Sequence, residues 1–208
     1  MRVFIAVELA ESIRTRIVQI QSKLRGTEDK IKWVDPSLIH LTLKFLGEIK
    51  KEKLGAVIKV TQKIAQKFSP FSMGAKGVGA FPSFSSPRVI WLGVGSGSTT
   101  LQKLAGELEN HLAKNGFSEE KKKWTPHLTL GRVKSLIEQR KLSGLILREK
   151  EVVAGKMEVK EISVIESRLT PSGPIYTVLE RITLKGNSGA TRLHEIAFNS
   201  QCTQEYED

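Results

Sequence analysis

The phrase His-Leu-Thr-Leu occurs twice in the chain, at His40-Leu41-Thr42-Leu43 and at His127-Leu128-Thr129-Leu130. The chain holds only four histidines. The chance that any two of them share their next three residues is on the order of a few in a thousand, so the pair marks an internal duplication. Both copies alternate polar with apolar, the pattern of a half-buried strand, and residues two apart on a strand share a face. Each copy therefore sends an imidazole and a hydroxyl to one side and two leucines into a core. Two such strands facing each other are expected to gather two histidines and two threonines at one site.

The duplication extends beyond the phrase. Arg2-Val3 opens a strand that is followed by a helix and then His40, 38 residues on; Arg88-Val89 opens a strand that is followed by a helix and then His127, 39 residues on. A tryptophan, Trp33 or Trp124, precedes each histidine. Helical spacing of apolar residues predicts helices at Ile13 to Leu24, Lys50 to Phe68 and Leu101 to Leu112, with a shorter one at Ser135 to Gly144. Strands are expected at Arg2 to Leu9, Ile31 to Val34, Ile39 to Leu46, Phe71 to Phe81 and Arg88 to Val94, with Pro82 to Pro87 as a loop near the joint between halves. Val152 to Arg168 and Ile175 to Leu184 are expected to pair as a hairpin across Thr170-Pro171-Ser172-Gly173-Pro174. The fold class is therefore α+β: two pseudo-twofold-related lobes, each an antiparallel sheet with helices on its outer face, and a cleft between them. Residues 1–185 form this bilobal domain. Residues 186–208 share no pattern with either half and read as a tail or a cloning-derived extension, with a short helix expected near Arg192 to Phe198.

A net charge of +11 and a pI near 9.8 favour an anionic partner such as nucleic acid. The single cysteine, Cys202, excludes an intramolecular disulfide and fits a reducing compartment. No apolar run reaches membrane-spanning length. The expectation is a cytoplasmic, monomeric protein with no membrane partner.

Two facing histidines suit in-line displacement at phosphorus. A neutral imidazole takes a proton from the nucleophile while a protonated one gives a proton to the leaving oxygen, and both states are accessible near neutrality. Thr42 and Thr129 can donate to the non-bridging oxygens. Lys44 shares the parity of His40 and Thr42, which aims it at the same phosphate. Arg132 has the wrong parity relative to His127 unless Gly131 kinks the strand. His111 and His194 are expected to be uninvolved, Phe45 to be core, and Trp33 and Trp124 to be core or lobe-edge residues. No His-Glu-x-x-His, paired Cys or His/Asp cluster supplies a metal site, so no metal and no cofactor are expected.

The segments HLTLKFLG at 40–47 and TPHLTLGRV at 125–133 resemble the paired H-x-T-x motifs of the 2H phosphoesterases. The likeness is to the bacterial and archaeal RNA 2′,3′-cyclic phosphodiesterases, historically called 2′-5′ RNA ligases. It covers about residues 1–185, including RVFIAVEL at the start and SRLTPSGPIY near 167–176. The resemblance implies a positively charged cleft and metal-independent hydrolysis of a terminal RNA 2′,3′-cyclic phosphate to a 2′-phosphate. It assigns His40 as proton donor to the leaving 3′-oxygen, His127 as the activator of water, and Thr42 and Thr129 as phosphate ligands, and it adds weight to Arg132 as a substrate contact; Lys44 is a candidate substrate contact on its strand parity alone. It also implies reverse 2′-5′ ligation, with tRNA halves among the candidate substrates. Two rival readings remain open at this point: a metal hydrolase, and a non-catalytic basic RNA-binding module whose histidines only touch phosphate.

Overall fold

The opening strand sorts its side chains by parity. In β1 (Arg2–Glu8), Val3, Ile5 and Val7 join the main hydrophobic core, whereas Phe4 and Ala6 belong to a separate small cluster with Ile165. One face of this sheet is thus committed to helices and the other to a cleft. A computed structural model describes residues 1–120, 124–171 and 173–186. After β1 come α1 (Glu11–Leu24), β2 (Lys30–Trp33), β3 (His40–Glu48), α2 (Leu54–Ala65), β4 (Phe71–Ser83), β5 (Ser86–Val94) and α3 (Ser98–Lys114). Then follow β6 (His127–Ser135), α4 (Gln139–Arg148), β7 (Val153–Val159), β8 (Glu161–Thr170) and β9 (Gly173–Thr183).

The strands form two antiparallel sheets, one in the order β3-β1-β8-β9 and the other β2-β6-β5-β4-β7. The two halves of the duplication therefore supply matching pairs, β1 with β3 and β5 with β6, and each pair encloses a long helix. Those helices change sides. α1 leaves the first sheet and packs on β7 and α4, while α3 leaves the second sheet and packs on β3 and α2. The short strand β2 crosses as well and pairs with β6.

Three local readings need correction. Val152 to Arg168 is not one strand: β7 pairs with β4 in the second sheet and β8 pairs with β1 and β9 in the first. Only Lys160 separates them, too little to break an alternating pattern. Pro82 to Pro87 is not a loop but the end of a tight β4–β5 hairpin with its turn at Phe84-Ser85. The hairpin tip runs past its neighbours, so the prolines' missing N–H groups cost no ladder bond. The helix expected from Ser135 begins instead at Gln139, because β6 continues to Ser135. The Asp29 carboxylate, far away in sequence, accepts from the backbone N–H groups of Ile137 and Glu138 and sets that start.

The last described residues dock against α2, with Lys185 N–H bonded to the Ala65 carbonyl and Gly186 N–H to that of Phe68. The helix expected near Arg192 to Phe198, together with His194 and Cys202, lies outside the described residues. Among the described residues no helix is long and apolar enough to cross a membrane.

Candidate active site

Both histidine strands carry a bulge at the same place. On β3, Thr42 lies opposite Ala6 and Lys44 opposite Ile5, so Leu43 is an extra residue; on β6, Thr129 lies opposite Trp91 and Gly131 opposite Ile90, so Leu130 is extra. A bulge inserts one residue and reverses the side-chain parity that follows it. Up to the bulge the imidazole and hydroxyl share the cleft face, and beyond it the roles exchange.

This shift corrects one assignment and supplies the geometry for another. Lys44 is turned to the helix side, 4% exposed, and its ammonium binds Glu109 on α3 at 2.7 Å and the Ser118 carbonyl at 2.7 Å. It does not line the cleft. Phe45, expected in the core, is instead 48% exposed and lines the cleft beneath the Arg2 guanidinium. In the second copy Gly131 takes the buried position equivalent to Lys44, and Arg132 comes round to the cleft.

A cavity of about 610 Å³ opens between the sheets, lined jointly by His40, Thr42, His127, Thr129 and Arg132. Arg2, Lys32 and Lys134 add positive charge to its wall, against one carboxylate, Asp35, among the described residues. Lys32 and Arg132 sit directly opposite each other on neighbouring strands. Like charges so placed repel, and an anion between them removes the penalty.

The two imidazoles are held alike. His40 Nδ1 donates to the Leu38 carbonyl at 2.9 Å, and His127 Nδ1 donates to the Thr125 carbonyl at 2.8 Å, each two residues upstream. A carbonyl can only accept, so both rings carry hydrogen on Nδ1, which leaves Nε2 as the ring nitrogen able to accept or release a proton. His40 stacks on Phe4 with centroids 4.6 Å apart and meets Tyr176 edge-on at 5.2 Å. Burial between these rings pushes its pKa below the ordinary 6.5. The Leu38 carbonyl and the Glu8 carboxylate oppose that shift and the Arg14 guanidinium adds to it. Burial also raises the Tyr176 phenol, and the nearby Arg132 and Arg2 guanidinia draw it back. His127 packs edge-on against Phe81 at 5.2 Å.

Each motif is fastened by side chains from a distance. Arg14 on α1 donates through Nε to the Leu9 carbonyl at 3.2 Å, and through Nη1 to Pro36 at 2.8 Å, Ser37 at 2.6 Å and Ile39 at 3.3 Å. It thereby fixes the turn whose Leu38 carbonyl aims His40. The buried Gln21 amide donates to the Val34 and Leu130 carbonyls, and the Trp124 indole donates to the Thr42 carbonyl at 3.1 Å.

Sequence reasoning overlooked Arg2, Phe4, Lys32, Lys134 and Tyr176, and placed Trp33, another cleft-lining residue, in the core or at a lobe edge. Arg2 and Phe4 carry a legible signal, since they share the parity that Val3, Ile5 and Val7 do not. Lys134 follows Arg132 by two positions. Tyr176 has no such signal, because it takes two strand pairings, β9 with β8 and β8 with β1, to bring it near His40. His111 is bonded to the Glu107 carbonyl on α3 and does not line the cavity.

A family model described as "LigT like Phosphoesterase" matches the chain twice, at residues 7–91 and 92–176. Each match contains one histidine strand. The RNA 2′,3′-cyclic phosphodiesterase of Methanothermobacter thermautotrophicus is 38% identical over 86% of this chain and 96% of its own length. The crystal structure of TT0787 of Thermus thermophilus superposes with a TM-score of 0.76 at 31% identity, covering 90% of this chain and all of that one. E. coli LigT complexed with 3′-AMP superposes with a TM-score of 0.71 at 26% identity, covering 88% and 97%.

Proposed function

Since the chain belongs to the LigT-like phosphoesterase family, we propose that it opens RNA 2′,3′-cyclic phosphate ends to 2′-phosphomonoesters by paired-histidine acid–base catalysis. Cyclic phosphodiesterase activity is the reading that the named relatives support directly. One observation carries the mechanism: two imidazoles, each with Nδ1 tied to a backbone carbonyl, line one cationic cavity with two threonines.

The anionic cyclic phosphate enters among Arg2, Lys32, Arg132 and Lys134, with Thr42 and Thr129 donating to its non-bridging oxygens. His127, neutral, takes a proton from water through Nε2 as the water oxygen attacks phosphorus. The bond from phosphorus to the 3′-oxygen breaks, and His40, protonated, gives its Nε2 proton to that oxygen. The 2′-oxygen keeps the phosphate. With a 5′-hydroxyl in place of water the same steps make a 2′-5′ linkage, so reverse ligation belongs to the same site, with tRNA halves among its candidate substrates. The proposed protein is a cytoplasmic monomer, its bilobal domain at residues 1–185.

Metal independence rests on the donor set. Among the described residues no three of His, Cys, Asp and Glu come together, whereas a catalytic zinc site uses three protein ligands.

The test is incubation of an oligonucleotide ending in 2′,3′-cyclic phosphate with excess chelator. A 2′-phosphate product is expected, and a 3′-phosphate would reverse the donor and acceptor roles. His127→Ala should lower turnover by roughly 10²–10⁴-fold while substrate still binds. A loss of affinity alone, with no turnover in the parent protein, would leave a basic RNA-binding module.

A further inference from the structure

We infer that a second cavity beside His127 seats the nucleoside that brings an RNA 5′-hydroxyl to the phosphorus in place of water. This rests on the paired-histidine reading above. The cavity holds about 360 Å³ and is walled by Thr125 and Pro126, the residues leading directly into His127. That volume lies in the range of small-ligand pockets.

Its floor is Trp91. On the ladder Trp91 lies opposite Thr129, and Gly93 opposite His127, so the indole occupies the motif's own face of the sheet. On its other side Trp91 lies opposite Gly79, where an added Cβ would fall 2.2 Å from the indole ring. Only glycine at 79 lets the indole lie flat against the strand. The result is an aromatic plate with one face turned away from the sheet, the surface on which single-stranded bases stack. Phe81 links plate to catalyst, with its ring 5.1 Å from Trp91 and 5.2 Å from His127.

The rim carries charge that suits a nucleotide. Lys150 and Lys76 stand at the rim. Lys76 pairs with Glu151 at 2.9 Å, but both side chains are exposed, and such a pair yields readily to a phosphate.

The position agrees with the chemistry. In-line displacement puts the nucleophile opposite the leaving 3′-oxygen, hence on the side of His127, while the cyclic nucleotide keeps to the side of His40, Phe4 and Tyr176. The 5′-hydroxyl oxygen bonds to phosphorus as His127 takes its proton. The phosphorus–O3′ bond breaks and O3′ receives the His40 proton. The product is a 2′-5′ diester, with no further reactant.

The test gives the full chain an oligonucleotide ending in 2′,3′-cyclic phosphate and a rising concentration of a second oligonucleotide with a 5′-hydroxyl. The readout is the ratio of ligated to hydrolysed product. Trp91→Ala and, separately, Lys150→Glu on the exposed rim should each lower that ratio, Trp91→Ala by about tenfold, through a higher apparent KM for the second oligonucleotide. Hydrolysis without the second strand should change much less. A parallel fall of both products, or an unchanged ratio in both variants, overturns the assignment. So does a parent protein that hydrolyses the cyclic end but ligates at no acceptor concentration, which leaves the hydrolase reading intact. A parent protein that does not hydrolyse removes that reading and this one together.

Discussion

The indole of Trp124 donates to the backbone carbonyl of Thr42 at 3.1 Å, tying the approach to one histidine motif to the middle of the other. The two motifs lie in different sheets, so this bond links one half of the site to the other. Trp124→Phe keeps most of the ring and removes the donor. Stability should fall by about 1 kcal/mol, and kcat should fall with KM nearly unchanged, because the bond sets the spacing of acid and base. Steady-state kinetics at matched temperature distinguish this from a purely structural loss, in which kcat per folded molecule stays constant.

The pH profile should differ between free and bound enzyme. Burial lowers the His40 pKa below 6.5, so its acid form is scarce at neutrality until a phosphate anion arrives and favours it. The basic limb of kcat/KM, which reports the free enzyme, should therefore lie at lower pH than the basic limb of kcat, which reports the complex. The folded-state contribution has a definite sign. A depressed histidine stabilises the fold above its unfolded pKa, and that contribution is lost as pH falls through the folded value. Imidazole proton resonances followed with and without a 2′-nucleotide should show the His40 titration moving upward on binding. Coincident limbs and an unmoved resonance would count against His40 as the acid.

Arg14 gathers four backbone carbonyls, three of them in the turn before His40. Lysine cannot reproduce that planar fork. Arg14→Lys and Arg14→Gln should lower kcat by about tenfold or more, in keeping with the sensitivity of catalysis to sub-ångström misplacement. Both also remove a guanidinium charge that depresses His40. Only Arg14→Gln leaves no cation there, so its basic limb should shift upward further than that of Arg14→Lys. Kinetics across pH separate positioning from general destabilisation.

Lys44 is predicted to matter for stability and not for substrate. Lys44→Met leaves Glu109 with no cation and, among the described residues, only the Glu120 backbone N–H as a donor, and breaking a buried pair in this way costs about 3–5 kcal/mol. Glu109 keeps partial solvent access, which places the expected loss toward the lower end. The double variant Lys44→Met, Glu109→Leu should recover much of it. Chemical denaturation reads both changes, and KM for the cyclic phosphate should stay within about twofold.

The duplicated phrase carried most of the site in plain view. Parity before the bulge placed His40, Thr42, His127 and Thr129 correctly in one cavity, since strand alternation is local. Beyond Leu43 and Leu130 it misled, because a bulge depends on how a strand meets its neighbour. Gly131 hinted at the irregularity in the second copy; Lys44 in the first gave no hint, and a buried ion pair with a distant helix was invisible. The start of α4 was likewise hidden in the Asp29 carboxylate. The division of Val153 to Thr170 between two sheets left no trace in its hydrophobic pattern. Tyr176 reached His40 only through tertiary pairing.

The exchange of α1 and α3 has a structural cost and a benefit. Each sheet is roofed by a helix that belongs, in chain order, to the opposite repeat. Cutting the polypeptide between the halves would take from each sheet a helix that covers it. The same interlocking lashes the two histidine-bearing walls together, and thermal motion has few ways to pry one imidazole from the other.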